Sequence, residues 1–292
     1  MVKGIFPPIT TPFINEVITL EKLAENISKW NKSDLAGYVV LGSNGESTFL
    51  TKEEKLTLIE NVKKNAARDK IVIAGTGSDS IKETISLTND AAAKGADYAL
   101  ILTPSFYKEK MDSHSFIKYF NEVADNIDIP LIIYNVPKYT GVNIEASAVT
   151  KLSEHPNIIG LKNSSENTAH LAEIIHDSKE DFSTFVGTAS VLLPGLCAGA
   201  VGGILALANI APNECIKILE LFNDGKLVEA RKLQGKLIPV NKAVTGKYGV
   251  AGLKAAMDML GYFGGDPRSP LNKLNKNELE DMKKILAKAD LL

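Results

Sequence analysis

The sequence predicts an α/β fold, a (β/α)8 TIM barrel followed by a C-terminal helical extension. Three observations predict it. Eight short apolar runs alternate with longer amphipathic stretches. All but the last two runs begin roughly 25 to 35 residues apart, room for a strand, a crossover helix and a parallel neighbour. The clearest runs are continuously apolar rather than alternating, as strands covered on both faces must be. Eight such units close naturally into a barrel. A doubly wound open sheet is the main competitor, but no GxGxxG follows the first run.

In chain order, residues 4–7 (GIFP) read as the first strand and 20–31 as a helix. The second strand is 37–41 (GYVVL), and Thr51, with Glu54 three residues on, forms a capping box that opens a helix to about residue 67. Strand three (71–74) precedes a helix at 81–94, and strand four (98–102) one at 115–126. Strand five is 130–134 (PLIIY), with a helix near 145–153; strand six is 158–162, with a helix near 168–176. Strand seven (184–186) and strand eight (201–205) precede helices at 191–198 and 212–222. The barrel therefore spans residues 1–222. Residues 223–292 form an extension of three helices, at 226–237, 250–260 and 277–287, each with apolar residues at helical spacing. Residues 261–274, rich in Gly and Pro, read as a loop.

Composition narrows the function. Hydrophobic residues make up 45% and charged residues 23%, the balance of a globular protein with a large core. A net charge of −2 gives no electrostatic footprint for nucleic acid or an anionic membrane. Two cysteines, Cys197 and Cys215, fit reduced thiols rather than a disulfide scaffold. The start of the chain lacks the apolar stretch of a signal peptide, and no segment is long and apolar enough for a membrane helix. A cytoplasmic location is expected.

In a barrel, chemistry gathers where strands end. Strand six ends in Lys162, after the apolar run Ile158-Ile159-Gly160-Leu161. A buried ammonium is costly unless it is paired or sheds its proton, and a free amine is the form that attacks a carbonyl. The plainer reading is a lysine that reaches past the strand to water. Strand two ends in Gly42-Ser43-Asn44-Gly45-Glu46, either a nest of amides for an anion or an ordinary turn. No lysine follows, so it is not a GxxxxGK[ST] loop. Tyr134 ends strand five as an acid/base candidate or a core tyrosine, and Tyr107 follows strand four as a contributor to the site or a surface aromatic. His114, His155, His170 and His176 show no metal spacing and read as solvated, so neither metal nor cofactor is expected. Gly202-Gly203 could cradle a phosphate, but no basic residue follows.

Taken jointly, GSNGE (42–46), the YNVP and TG of 134–141, and GLKNSS (160–165) resemble the dihydrodipicolinate synthase / N-acetylneuraminate lyase family, across essentially the whole chain. The resemblance implies a homotetrameric class I aldolase or lyase on a (β/α)8 barrel, acting on a small 2-oxo acid. It implies that Lys162 forms the Schiff base and that Tyr134 is the acid/base residue. Ser43 replaces the usual threonine of a hydroxyl relay, and Tyr107 completes that relay from a neighbouring subunit. The Ser43 and Asn44 amides would hold the substrate carboxylate. Synthases of the family carry an arginine where this chain has Tyr139, and their turn usually reads GTTGE. The GSNGE turn, with LSxHPNIxGxK, AVTxxYGxxGLK and GYxGG, is more similar to the 4-hydroxy-2-oxoglutarate aldolase branch. On that resemblance Ser164 and Gly187 also line the pocket. The expected reaction is cleavage of 4-hydroxy-2-oxoglutarate to pyruvate and glyoxylate. The alternatives are condensation of pyruvate with aspartate semialdehyde, as in dihydrodipicolinate synthase, and a 2-oxo-acid-binding protein without turnover.

Overall fold

The computed structural model describes residues 1–292. Ten strands form: β1 (Gly4–Phe6), β2 (Phe13–Ile14), β3 (Val17–Ile18), β4 (Gly37–Val40), β5 (Ile71–Gly75), β6 (Tyr98–Leu102), β7 (Leu131–Asn135), β8 (Ile158–Asn163), β9 (Ser183–Val186) and β10 (Gly202–Ile204). Eight of them make one parallel sheet in the order β1-β10-β9-β8-β7-β6-β5-β4. Its two edge strands meet. The Val39 amide donates to Pro7 O at 3.0 Å and the Ile9 amide to Val39 O at 2.9 Å, which closes the barrel. Helices surround it, and no helix is long and apolar enough to cross a membrane.

The continuous apolar runs have a direct cause. Along a strand, side chains alternate between two faces. Ile132 and Tyr134 point into the barrel with Phe6, Ile73, Leu100 and Phe185. Leu131 and Ile133 point outward and pack on Phe116, Phe120, Val149 and Ile174 of the helical layer. Both faces are dry, so neither needs polar residues. Tyr134 pairs in register with Lys162, and Asn135 with Asn163. Tyr134 and Lys162 therefore share the inner face, and the two asparagines the outer one.

The capping box at Thr51 and Glu54 is present, and its helix runs Lys52–Asn65. The extension contains Leu227–Lys242, Gly249–Met259 and Lys276–Lys288, joined by a π-turn at Ala243–Lys247 and the irregular stretch 260–275. Leu237, Leu253, Met257 and Met282 of the extension belong to the same apolar cluster as Ile5, Leu23 and Ile27 of the barrel. Several features differ from the sequence expectation. The antiparallel hairpin β2–β3 has strands of only two residues, too short to show a period. One helical turn, Pro137–Thr140, follows β7. The helix expected at 191–198 is a 3-10 turn, Ala189–Val191, followed by Leu192–Cys197.

Gly202 answers the phosphate question. A Cβ there would lie 2.0 Å from Gly4 O, so the glycine serves the close approach of β10 to β1. The histidines also depart from expectation. His114 and His176 are exposed, but His155 and His170 are half-buried. His155 Nε2 is 3.0 Å from Asp125 Oδ1, and His170 Nδ1 is 3.4 Å from Asn163 Nδ2.

Candidate active site

The ends of β4 to β7 open into a cavity of about 800 Å3, lined by Ser43, Tyr134 and Tyr139 among others. Lys162, only 3% exposed, lies behind Tyr134 rather than among the residues lining the cavity, and makes no ion pair. Its Nζ lies 3.9 Å from the centroid of the Tyr134 ring. The Tyr134 hydroxyl is 3.5 Å from Ser43 Oγ. Burial alone pushes the Tyr134 phenol upward, but the Lys162 charge and hydrogen bonding from Ser43, Lys162 and Ser164 outweigh it. The phenol is held below its ordinary range, which favours the basic form. Ser164 contributes least, because its buried Oγ makes no well-formed hydrogen bond.

Gly187 explains how that hydroxyl fits. A Cβ at this position would lie 1.9 Å from Ser164 Oγ and 2.9 Å from Asn163 O. Only glycine leaves the serine in place. The Ser43–Gly45 segment is a 3-10 turn, and the Ser43 and Asn44 amides donate to no acceptor within the chain. Two adjacent free amides at a turn's start suit an anion. Asn44 is half-buried in that turn but does not line the cavity. Tyr139 does line it and is 58% exposed. Tyr107 is 72% exposed, packs edge-on against Phe106 and lies outside this chain's cavity. The structure thus brings Lys162, Tyr134, Ser43, Ser164 and Gly187 together, with Tyr139 at the wall and Tyr107 apart.

Sequence reasoning missed several participants. Asn135 Nδ2 donates to Asn163 Oδ1 at 3.1 Å and to Asn143 Oδ1 at 2.9 Å. This outer-face pair locks the register that sets Tyr134 beside Lys162. Its signal was a polar residue directly after each of the two. Residues 245–251 of the extension also wall the cavity, together with Lys138. Lys138 Nζ donates to Thr245 O at 2.8 Å, whereas Lys247 is paired with Asp281 at 2.8 Å. No group of three or more His, Cys, Asp or Glu is arranged to hold a metal ion.

A sequence profile described as "Dihydrodipicolinate synthetase family" matches residues 1–289. The chain belongs to that family. Its enzymes are class I aldolases working through a Schiff base, and this chain is one of them. A 4-hydroxy-tetrahydrodipicolinate synthase of Methanoculleus marisnigri is 36% identical over 290 residues, covering 98% of this chain and 99% of the relative. A probable mitochondrial 4-hydroxy-2-oxoglutarate aldolase of Emericella nidulans is also 36% identical, covering 99% and 95%. Among solved structures, dihydrodipicolinate synthase from Aquifex aeolicus superposes with a TM-score of 0.93 at 32% identity, covering 99% and 98%.

Proposed function

We propose that this family member cleaves 4-hydroxy-2-oxoglutarate to pyruvate and glyoxylate. The observation that carries the choice is the absence of an arginine from the cavity wall. The chain has three arginines, Arg68, Arg231 and Arg268. Arg68 and Arg231 are exposed, and the Arg268 fork is occupied by Glu54. Tyr139 stands where the family's synthases present that guanidinium. A guanidinium meets a carboxylate through two charge-assisted hydrogen bonds, whereas a phenol offers one neutral donor.

The steps follow from the site. The Lys162 amine adds to the C2 keto carbon, and loss of water gives the imine, which is protonated. Tyr134 as phenolate takes the proton of the C4 hydroxyl, with Ser43 and Tyr107 of a neighbouring subunit passing protons. The C3–C4 bond breaks and its electron pair moves into the iminium, so glyoxylate leaves and an enamine remains. Protonation at C3 and addition of water release pyruvate and restore the lysine. The Ser43 and Asn44 amides hold the substrate carboxylate, and the unpaired Ser164 hydroxyl is free to bond to substrate. The relay makes the protein an oligomer in this reading, because Tyr107 is exposed and does not line its own chain's cavity.

The test compares kcat/KM for two reactions, cleavage of 4-hydroxy-2-oxoglutarate and condensation of pyruvate with aspartate semialdehyde. Cleavage should be the more efficient. Tyr139→Arg should shift the ratio toward condensation by about ten- to a hundredfold, the worth of one charge-assisted contact. A wild-type protein that condenses aspartate semialdehyde more efficiently would establish the synthase reading instead. Binding of pyruvate without release of product from any aldol would leave only the binding-protein reading.

A further inference from the structure

Glu46 closes the turn that carries Ser43, and no step above uses it. Its φ is +56°, in the left-handed region that side chains disfavour. It does not line the cavity. Its carboxylate instead reaches the C-terminal extension, where it pairs with Lys254 Nζ at 2.5 Å, both side chains being 1% exposed. The Arg268 amide also donates to it at 2.7 Å. Lys254 Nζ donates further to Asp266 O at 2.8 Å and lies 4.5 Å from the centroid of the Phe13 ring. Arg268 donates to Phe49 O at 2.9 Å and forks onto the Glu54 carboxylate at 2.6 and 2.7 Å.

The extension therefore grips residues 46, 49 and 54 from behind. Within the same stretch, Ser43, Ser47 and Thr48 face the cavity. A buried ion pair is weak evidence for stability, since well-packed apolar residues often do as well. What a close ion pair, backed by the Arg268 amide, supplies that apolar packing cannot is a fixed direction and distance. Here both are imposed on a residue whose backbone would otherwise relax, one position beyond the turn with the free amides.

We propose that Glu46 and Lys254 are positioning residues for the aldolase reaction: their buried pair sets where Ser43 Oγ and the Ser43 and Asn44 amides stand relative to Tyr134. The C-terminal extension thereby controls the proton relay without touching a reacting atom. This rests on the reading that Lys162 forms the Schiff base and that Ser43 serves Tyr134.

The experiment uses the full chain with Glu46→Gln, Lys254→Arg, Ser43→Ala and the Glu46→Gln/Ser43→Ala double variant. Pyruvate release from 4-hydroxy-2-oxoglutarate gives kcat and KM. Borohydride trapping with saturating pyruvate gives the fraction of Lys162 that forms the imine. Glu46→Gln is expected to trap like wild type while kcat falls about tenfold or more. Lys254→Arg, which keeps the charge, should retain most of the rate. The double variant should be no slower than Ser43→Ala, because Glu46 acts through Ser43. Wild-type kcat in Glu46→Gln, losses that multiply in the double variant, or trapping that falls in step with kcat would each overturn the inference. If Glu46→Gln does not fold, Glu46→Asp, which keeps the charge but shortens the reach to Lys254, carries the same expectations. Absence of trapping in wild type would instead overturn the Schiff-base reading, and the inference with it.

Discussion

Lys162 and Lys254 are both withdrawn from water, at 3% and 0% exposure, yet they are held in opposite ways. Lys254 is surrounded by acceptors, with the Glu46 carboxylate at 2.5 Å and Asp266 O at 2.8 Å. Lys162 has no acidic partner, and its neighbour is a tyrosine whose phenol it pulls below the ordinary range. A carboxylate fixes an ammonium in place. A phenol can instead exchange a proton with a neighbouring amine. The same side chain is a brace in one region and a nucleophile in the other, and the partner decides which.

The largest expected effect separates the two. Lys162→Ala removes the covalent intermediate, and turnover should fall by a factor on the order of 10⁴ or more. Its stability should hold or rise, since an unpaired buried charge is lost. Lys254→Ala strands the Glu46 carboxylate and should destabilise by about 3 to 5 kcal/mol. Turnover assays beside urea unfolding of both variants check the pair. An active Lys162→Ala, or a Lys254→Ala as stable as wild type, breaks the contrast.

The next effect sharpens the Lys162 side. Tyr134→Phe removes the general base and should slow turnover by about 10²- to 10⁴-fold. Ser43→Ala is subtler. It deletes one of the contacts that lower the Tyr134 phenol, so that phenol rises. The base is active when deprotonated, and the acid limb of kcat/KM against pH should therefore move to higher pH. An unmoved limb would detach Ser43 from Tyr134.

The fold was legible because its periods are long and repeated. Continuous apolar runs show strands buried on both faces, and Lys162 and Tyr134 stand out as polar interruptions at their ends. What stayed hidden depends on contacts between residues remote in sequence. Glu46 and Lys254 read only as the ends of two motifs, GSNGE and AVTxxYGxxGLK, because nothing local shows that they meet. The stretch 243–254 stands out by resemblance, but only the folded chain brings its Thr245 and Lys247 to the cavity wall. His155 and His170 were misread because a histidine's burial is set by neighbouring elements, not by its own helix. The β2–β3 hairpin and the turn at Pro137–Thr140 were too short for any period to register.

The smallest effect probes the outer edge of the Lys254 region. Glu54 accepts both arms of the Arg268 fork, and this holds its carboxyl below the usual glutamate range against the opposing effect of burial. A group lowered in the folded state binds protons less readily there than in the unfolded chain. Its contribution is present above the unfolded value of 4.5 and is lost as pH falls through the lower folded value. Stability should therefore decline on acidification from about pH 5. Glu54→Gln should flatten part of that decline and leave stability near pH 7 slightly lower than wild type. The pair is partly solvated, at 13% and 27% side-chain exposure, so the change is modest and should shrink further in high salt. Urea midpoints between pH 3 and pH 7, at low and high salt, measure it. An acid decline as steep in Glu54→Gln as in wild type would mean that Arg268 holds the 46–54 stretch through its bonds to Glu46 and Phe49 alone. The clasp would then consist of Lys254, Glu46 and two backbone contacts.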